Sequence, residues 1–332
     1  MAGTACCVVS AVGYTVANTC MRQLAELQAD EMWATCNKEL ITVVVVGPWL
    51  VAQLLRHRSL FPPWGAIGLL TLVGLSTQMV ANLGLQWAFG IIGLSIAIPV
   101  VFAMMLTTSA AMGWALLNER VSKRSMGAIG LLLVALACLA VGLSLAKVEE
   151  TEIPPSTEVA ATSDEVAPAP SDLGGFSPWV VVGAVLAAGL AGALYAVLTI
   201  TIRHTVTGAT SPAAVVLIIT GVGVLSLGSV SYARLGLAEL LATPWTHFGW
   251  MFLAGGFNLI AFLAITKGLQ LTTVVHANVL NASQVAMAAV VGILLFKEHL
   301  NPWLILGVSL TITGIVLIDR PENDEEKVDQ HA

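Results

Sequence analysis

The stretch "CNKEL" places three polar side chains, Asn37, Lys38 and Glu39, within an apolar part of the chain. An ammonium, a carboxylate and an amide at membrane depth are costly to bury and typically bind a polar solute or relay a proton. Burial also disfavours the charged form of a carboxyl group. We therefore expect Asn37 and Lys38 to bind substrate and Glu39 to exchange a proton. Snorkelling to the outer interface is the alternative.

The spacing of Lys38 and Glu39 predicts that they do not pair with each other. Adjacent residues on a helix point about 100° apart and do not face one another. Each side chain is then expected to find a different partner or water.

Polar residues are also dense in the apolar stretch 272–296. On one continuous helix, two neighbouring stripes carry Thr273, Asn281 and Gln284, and Thr272, His276 and Ser283. We expect Asn281, Gln284 and His276 to line a substrate cavity, with hydrogen bonding between helices as the alternative.

Other apolar stretches contribute further candidates for substrate binding, namely Tyr14, Asn18, Gln78, Asn82, Tyr195, Thr199 and Asn258. Gln78 and Asn82 are four residues apart and hence share a helix face. Tyr14 and Tyr195 are 181 positions apart, a spacing that recurs elsewhere in the chain. Simple packing is the alternative for either tyrosine.

The elements that must position these residues are membrane spans. Hydrophobic residues make up 57% of the chain and charged residues 10%, against about 45–50% and 25% in soluble domains. A bilayer core requires about 20 apolar residues per helix. Ten such runs lie near residues 3–21, 34–55, 64–85, 92–117, 126–146, 178–201, 212–233, 247–266, 272–296 and 303–318. The sequence therefore predicts an all-α integral membrane protein with ten transmembrane helices.

The formal net charge of −6 arises outside these spans. Residues 147–177 and 319–332 together hold 13 of the 20 acidic residues. The first segment is rich in Pro, Ala and Ser without periodicity, which predicts a disordered acidic linker. The second is expected to be an acidic cytoplasmic tail.

The two sides of this linker repeat one pattern. Besides the two tyrosines, Arg22 and Arg203 are 181 positions apart, and so are the "PW" pairs that start at 63 and 244. This spacing predicts two five-helix repeats, 1–146 and 178–318. Because five is odd, the second repeat enters the membrane from the opposite side, so the repeats are inverted. A site between inverted repeats can open to either side by alternating access.

Each repeat ends in a similar way, as an apolar helix, a glutamate, a short turn and a final apolar helix. "GWALLNERVSKRSMGAIGLLLVAL" contains Glu119, and "GILLFKEHLNPWLILGVSLTITGIVLI" contains Glu298. In these motifs the chain resembles the EamA type of the drug/metabolite transporter superfamily. That resemblance implies two five-helix repeats and small-molecule transport. We expect both glutamates to stabilise turns, because each precedes a plausible helix start, where a carboxylate is favoured.

The function expected is that of a secondary transporter of a small organic metabolite or drug, with proton coupling left open. A non-transporting scaffold or receptor on the same fold is the alternative. The sequence contains no GxxxxGK[ST], HExxH or GxSxG motif, so we expect neither an enzyme nor a bound cofactor or metal. Lys and Arg lie mainly on one side of the spans, which predicts cytoplasmic termini in the plasma (inner) membrane. Expected partners are the small-molecule substrate and the lipid bilayer, with a homodimer left open and no nucleic acid.

Overall fold

The computed structural model describes residues 2–56, 61–117, 127, 130–131, 134–135, 138, 177–206, 210–272, 274–297 and 302–319. The side chains at 110, 113–117, 274–276, 279, 304, 315–316 and 318–319 lie outside that description. All regular secondary structure in the described residues is helical. The helices are α1 (Ala2–Glu26), α2 (Glu31–Leu55), α3 (Trp64–Ser76), α4 (Leu83–Ile92), α5 (Leu94–Leu117), α6 (Pro178–Thr205), α7 (Pro212–Leu241), α8 (Trp245–Leu271), α9 (Val274–Asn281), α10 (Gln284–Phe296) and α11 (Pro302–Asp319).

Six stretches of the described chain are helical, long and apolar enough to cross a membrane. They are α1, α2, the continuous run from α3 to α4, α6, α7 and α8. Tryptophan side chains at the starts of α3, α6 and α8 (Trp64, Trp179 and Trp245) are among the most exposed large apolar groups. Such positions suit the interface between lipid and water, where an indole is favoured.

Local sequence explains where several helices begin and break. Asp30 caps α2 by accepting a hydrogen bond from the Trp33 backbone N–H at 2.9 Å. Proline at the first helical position opens α6 and α7. Gly93, with φ of +73°, separates α4 from α5 in a conformation that few other residues adopt. A single π-helical segment, Thr77–Asn82, joins α3 to α4.

The two halves of the chain pack against each other, chiefly through helices from opposite halves. The first helix, α1, packs along α8, while α6 packs against α3, α4 and α5, and α2 packs against α7. Small residues permit close approach of backbones. At Gly192 in α6, an added Cβ would lie 2.2 Å from the Val101 carbonyl oxygen of α5.

The prediction of an all-helical membrane protein is confirmed for the described residues. The number of ten spans and the inverted arrangement stay predictions, because most of 126–146 lies outside those residues. The predicted boundaries 1–146, 147–177, 178–318 and 319–332 also stay predictions. Glu119, Glu298, nearly all of the 147–177 linker and nearly all of the tail lie outside the described residues.

One predicted span is wrong in its continuity. The stretch 272–296 is not a single helix but is broken at a turn at Ala282 and Ser283, which separates α9 from α10. The two stripes of polar residues assumed a constant angle per residue along one helix, so they do not continue across the break. Ser283, assigned to one stripe, is exposed.

Candidate functional site

A cavity of about 140 Å³ lies between the two halves of the chain. Residues of α1, α2, the π-helical segment and each helix from α4 to α10 line it. Ten of the polar residues singled out in the sequence line it: Tyr14, Asn18, Lys38, Glu39, Gln78, Asn82, Tyr195, Asn258, Asn281 and Gln284. The structure thus brings together side chains that are far apart in sequence. Thr199, a further sequence candidate, lines the same cavity.

Among the sequence-predicted residues whose side chains the structure describes, Asn37 does not line the cavity. The Asn37 side chain donates a hydrogen bond to the Trp33 carbonyl oxygen at 2.9 Å, one turn earlier on its own helix. This local bond engages the amide nitrogen without a solute. His276 belongs to α9, but its side chain lies outside the described residues.

The charged residues among the described lining of the cavity are Lys38 and Glu39, and they form an ion pair. Lys38 Nζ lies 3.1 Å from Glu39 Oε1, and the side chains are 11% and 3% exposed. The prediction that these neighbours do not pair is wrong. Directions of Cα–Cβ bonds diverge on a helix, but the four-carbon stem of lysine is long enough to bend its ammonium back. Glu39 Oε2 is buried and makes no hydrogen bond to any described residue.

A chain of hydrogen bonds crosses the cavity wall between the two halves. The Tyr195 hydroxyl donates to Asn82 Oδ1 at 2.5 Å. The Asn82 amide in turn donates to Gln78 Oε1. Both amides belong to the π-helical segment, a distortion that often occurs at functional sites. Gln78 lies against Gly223 of α7, where an added Cβ would be 2.8 Å from Gln78 Cδ.

A second row of amides lies on either side of the break between α9 and α10. Asn278, Asn281 and Gln284 are three residues apart, are all buried, and line the cavity. Asn281 Oδ1 accepts a hydrogen bond from the Ser10 hydroxyl at 3.2 Å. In contrast, neither polar atom of the Asn278 amide has a hydrogen-bond partner among the described residues. That amide is available to a molecule inside the cavity.

The remaining wall is largely apolar. It includes aromatic, aliphatic and thioether side chains, among them Phe89, Ile98, Val101, Phe102, Met105 and Phe262. Polar groups that converge on a cavity beside apolar side chains are typical of small-molecule sites.

Positions 181 residues apart recur in the wall. Tyr14, Asn18 and Met21 correspond to Tyr195, Thr199 and Ile202, and Thr77 corresponds to Asn258. The charge does not recur, because the position equivalent to Lys38 is Ile219. The two halves therefore contribute equivalent positions, of which only some carry the same side chain.

Sequence reasoning missed several lining residues: Met21, Thr35, Thr77, Gln86 and Asn278. The three-residue spacing of Asn278, Asn281 and Gln284 was the available signal for the last of these. Thr35 precedes Lys38 by three residues on α2 and so shares its face.

A larger cavity of about 400 Å³ lies elsewhere, where the α1–α2 and α7–α8 connections meet. Its lining includes Asp30, Glu239 and His247. Asp30 is engaged as the cap of α2 and lies 3.4 Å from Arg234. Because this cavity lies at helix ends rather than among the membrane-spanning segments, we take the smaller, central cavity as the candidate site. No cluster of three metal-binding side chains occurs in the part of the chain that the structure describes.

Comparison with known proteins agrees with this architecture. The model of the EamA-like transporter family matches residues 182–319. Among 24 matching chains of solved structures, one is titled only "Crystal structure of protein". It aligns over 96% of this chain and 96% of its own, with a TM-score of 0.59 and 13% sequence identity. Similarity at that identity shows a shared fold alone. The search of curated proteins found no match.

Proposed function

We propose, on the premise that residues 182–319 belong to the EamA-like transporter family of the drug/metabolite transporter superfamily, that this protein is a secondary transporter. It moves a small polar or zwitterionic organic metabolite or drug across the membrane by alternating access. The protein is an integral membrane protein, and the direct evidence is the six long apolar helical stretches found in the described residues. Its placement in the plasma membrane with both termini in the cytoplasm is part of the proposal.

The central cavity is the observation that carries this proposal. It lies among membrane-spanning helices, and helices of both halves line it. It contains a buried ion pair and several amides, which are costly at membrane depth unless they serve binding or packing. The buried Asn278 amide, which has no hydrogen-bond partner among the described residues, favours a solute site over a purely structural core.

The pairing of helices supports an inverted relationship between the repeats. The first helix of each predicted repeat packs against the third helix of the other, as α1 does with α8 and α6 does with α3 and α4. The second helices, α2 and α7, pack against each other. Such an exchange of partners is what a two-fold axis between the halves produces, and we propose that this axis lies in the membrane plane, because each predicted repeat has an odd number of spans. Two near-equivalent halves can exchange conformations and so expose the cavity to one side at a time.

Glu39 is the residue that we propose for proton coupling. It is 2% exposed and lines the cavity beside Lys38. Protonation of Glu39 would remove the charge that holds the Lys38 ammonium. Substrate binding and proton binding then compete for the same pair of groups. Glu119 and Glu298 remain proposed turn-stabilising residues with no part in coupling.

The experiment that tests this function is a screen for metabolite uptake and export in proteoliposomes, with and without a proton gradient. We expect at least one small polar solute to accumulate in response to the gradient. Glu39→Gln should abolish the response to the gradient. Cys36→Ala, which changes a buried residue of the same helix that does not line the cavity, should preserve it.

The outcomes separate the alternatives. Solute flux that ignores the gradient and is unchanged in Glu39→Gln would remove the coupling step but keep the transporter. Absence of flux for every solute, together with a correctly folded protein, would favour a scaffold or receptor.

A further inference from the structure

The Lys38–Glu39 pair is a charge feature that the repeat itself does not require. The equivalent positions in the second half, 181 residues later, are Ile219 and Thr220. Thr220 is fully buried and donates its hydroxyl to the Val216 carbonyl oxygen of its own helix at 2.9 Å. One half of the protein therefore folds with an aliphatic side chain and a hydroxyl at these places. The fold therefore does not require the charges of Lys38 and Glu39, which favours a functional role for them.

The ion pair retains binding capacity of both signs. The Lys38 ammonium has three N–H donors, and it lies 3.1 Å from one oxygen of Glu39. The other oxygen, Oε2, is buried without a partner among the described residues. A solute entering the cavity therefore meets an acceptor on Glu39 and donors on Lys38 that no other described residue engages.

We propose that Lys38 and Glu39 together form a charge filter that selects zwitterions with an apolar body. This inference rests on the proposed function. The solute carboxylate accepts from Lys38 Nζ, and the solute ammonium donates to Glu39 Oε2. The site then contains two positive and two negative charges and stays neutral.

Charge balance explains why the filter rejects singly charged solutes. A monoanion pairs with Lys38 and leaves Glu39 uncompensated, whereas a monocation pairs with Glu39 and leaves Lys38 uncompensated. An unpaired charge in a poorly hydrated site is strongly unfavourable. The apolar wall, which includes Phe89, Phe102 and Met105, accommodates the rest of the solute. A zwitterion without an apolar part would leave that wall facing polar groups.

The test uses three probes that share one branched carbon skeleton and differ in charge. They are L-leucine, 3-methylbutylamine, which lacks the carboxylate, and 4-methylpentanoate, which lacks the ammonium. Binding to the purified full-length protein in detergent is measured at neutral pH by titration calorimetry. We expect wild-type protein to bind leucine at least about tenfold more tightly than either analogue.

Four variants sharpen the test. Lys38→Met should shift the preference to 3-methylbutylamine, and Glu39→Gln should shift it to 4-methylpentanoate. The double exchange Lys38→Glu with Glu39→Lys keeps both charges and should keep the preference for leucine. Cys36→Ala is the matched control, since Cys36 is equally buried on α2 but does not line the cavity. Circular dichroism verifies that each variant is folded.

Several outcomes overturn the filter. The filter is wrong if the wild-type protein does not bind leucine, or if it binds either analogue as tightly as leucine. It is also wrong if the single variants keep the wild-type order of preference. Flux in liposomes is measured separately. Leucine that binds with the predicted preference but is not moved would leave the filter intact and remove the transport function. Flux of neutral or singly charged solutes alone would leave the transport function intact and remove the filter.

Discussion

Tyr195 and Asn82 join the two halves of the protein by a hydrogen bond of 2.5 Å between the tyrosine hydroxyl and Asn82 Oδ1. The bond lies in the wall of the central cavity and connects α6 to the π-helical segment between α3 and α4. Tyr14, at the equivalent place in the first half, makes no hydrogen bond to the residues that the structure describes. The equivalent tyrosines thus differ in their partners.

The first prediction concerns that asymmetry. Tyr195→Phe should lower the free energy of unfolding by about 0.6 kcal/mol and at most about 1.7 kcal/mol, the range for hydrogen bonds between membrane helices. Tyr14→Phe should change it by less, because no such bond is lost. Unfolding in detergent with increasing denaturant measures both. Equal losses in the two variants would show that the hydroxyl of Tyr195 contributes no more than that of Tyr14.

The contact between Gly192 and the Val101 carbonyl oxygen gives a second prediction. Gly192→Ala forces α5 and α6 apart, since the new methyl group would lie 2.2 Å from a backbone atom. We expect a loss of about 1–3 kcal/mol, typical of overpacking. Gly221→Ala is the control, because nothing lies within 4 Å of the added Cβ. That variant should keep or raise stability by up to about 1 kcal/mol. A tolerated Gly192→Ala would contradict the close packing of these helices.

The third prediction separates binding from folding at Asn278. Its amide is buried without a described partner, and such a group costs about 1–3 kcal/mol. Asn278→Leu should therefore leave the substrate-free protein as stable as before, or more so, while solute flux falls at least about tenfold. Thermal unfolding and proteoliposome flux are measured on the same preparation. Lower stability with unchanged flux would assign the amide a structural role.

The fold could be predicted from the sequence because composition and span length are strong constraints in a bilayer. Apolar runs of about 20 residues have no alternative but helices or closed barrels. The polar residues of the cavity could be predicted for a related reason. Tyr195, Asn82 and Gln78 lie within apolar spans, where exposing a polar group to lipid costs free energy. Their placement in one cavity was expected, while their role in substrate binding remains a prediction.

The remaining details depend on local geometry that sequence periodicity does not encode. The break between α9 and α10 interrupts the helix, so an angle of 100° per residue counted through Ala282 and Ser283 does not hold. Lys38 meets Glu39 because a long side chain bends, which the angle between adjacent residues does not capture. Asn37 forms a hydrogen bond with its own helix, an option that short amide side chains always have.

The inverted arrangement of the repeats is the central claim, and the starts of α3 and α8 test it most directly. Trp64 and Trp245 are 181 positions apart and are 87% and 86% exposed, so a reagent can reach them. Single cysteines are introduced as Trp64→Cys or Trp245→Cys after the five native cysteines are replaced. A membrane-impermeant maleimide is then applied to intact cells and to inverted vesicles. We predict that position 64 reacts only from the cytoplasmic side and position 245 only from the exterior. Reaction of both from the same side would contradict the inverted repeats and, with them, alternating access between the two halves.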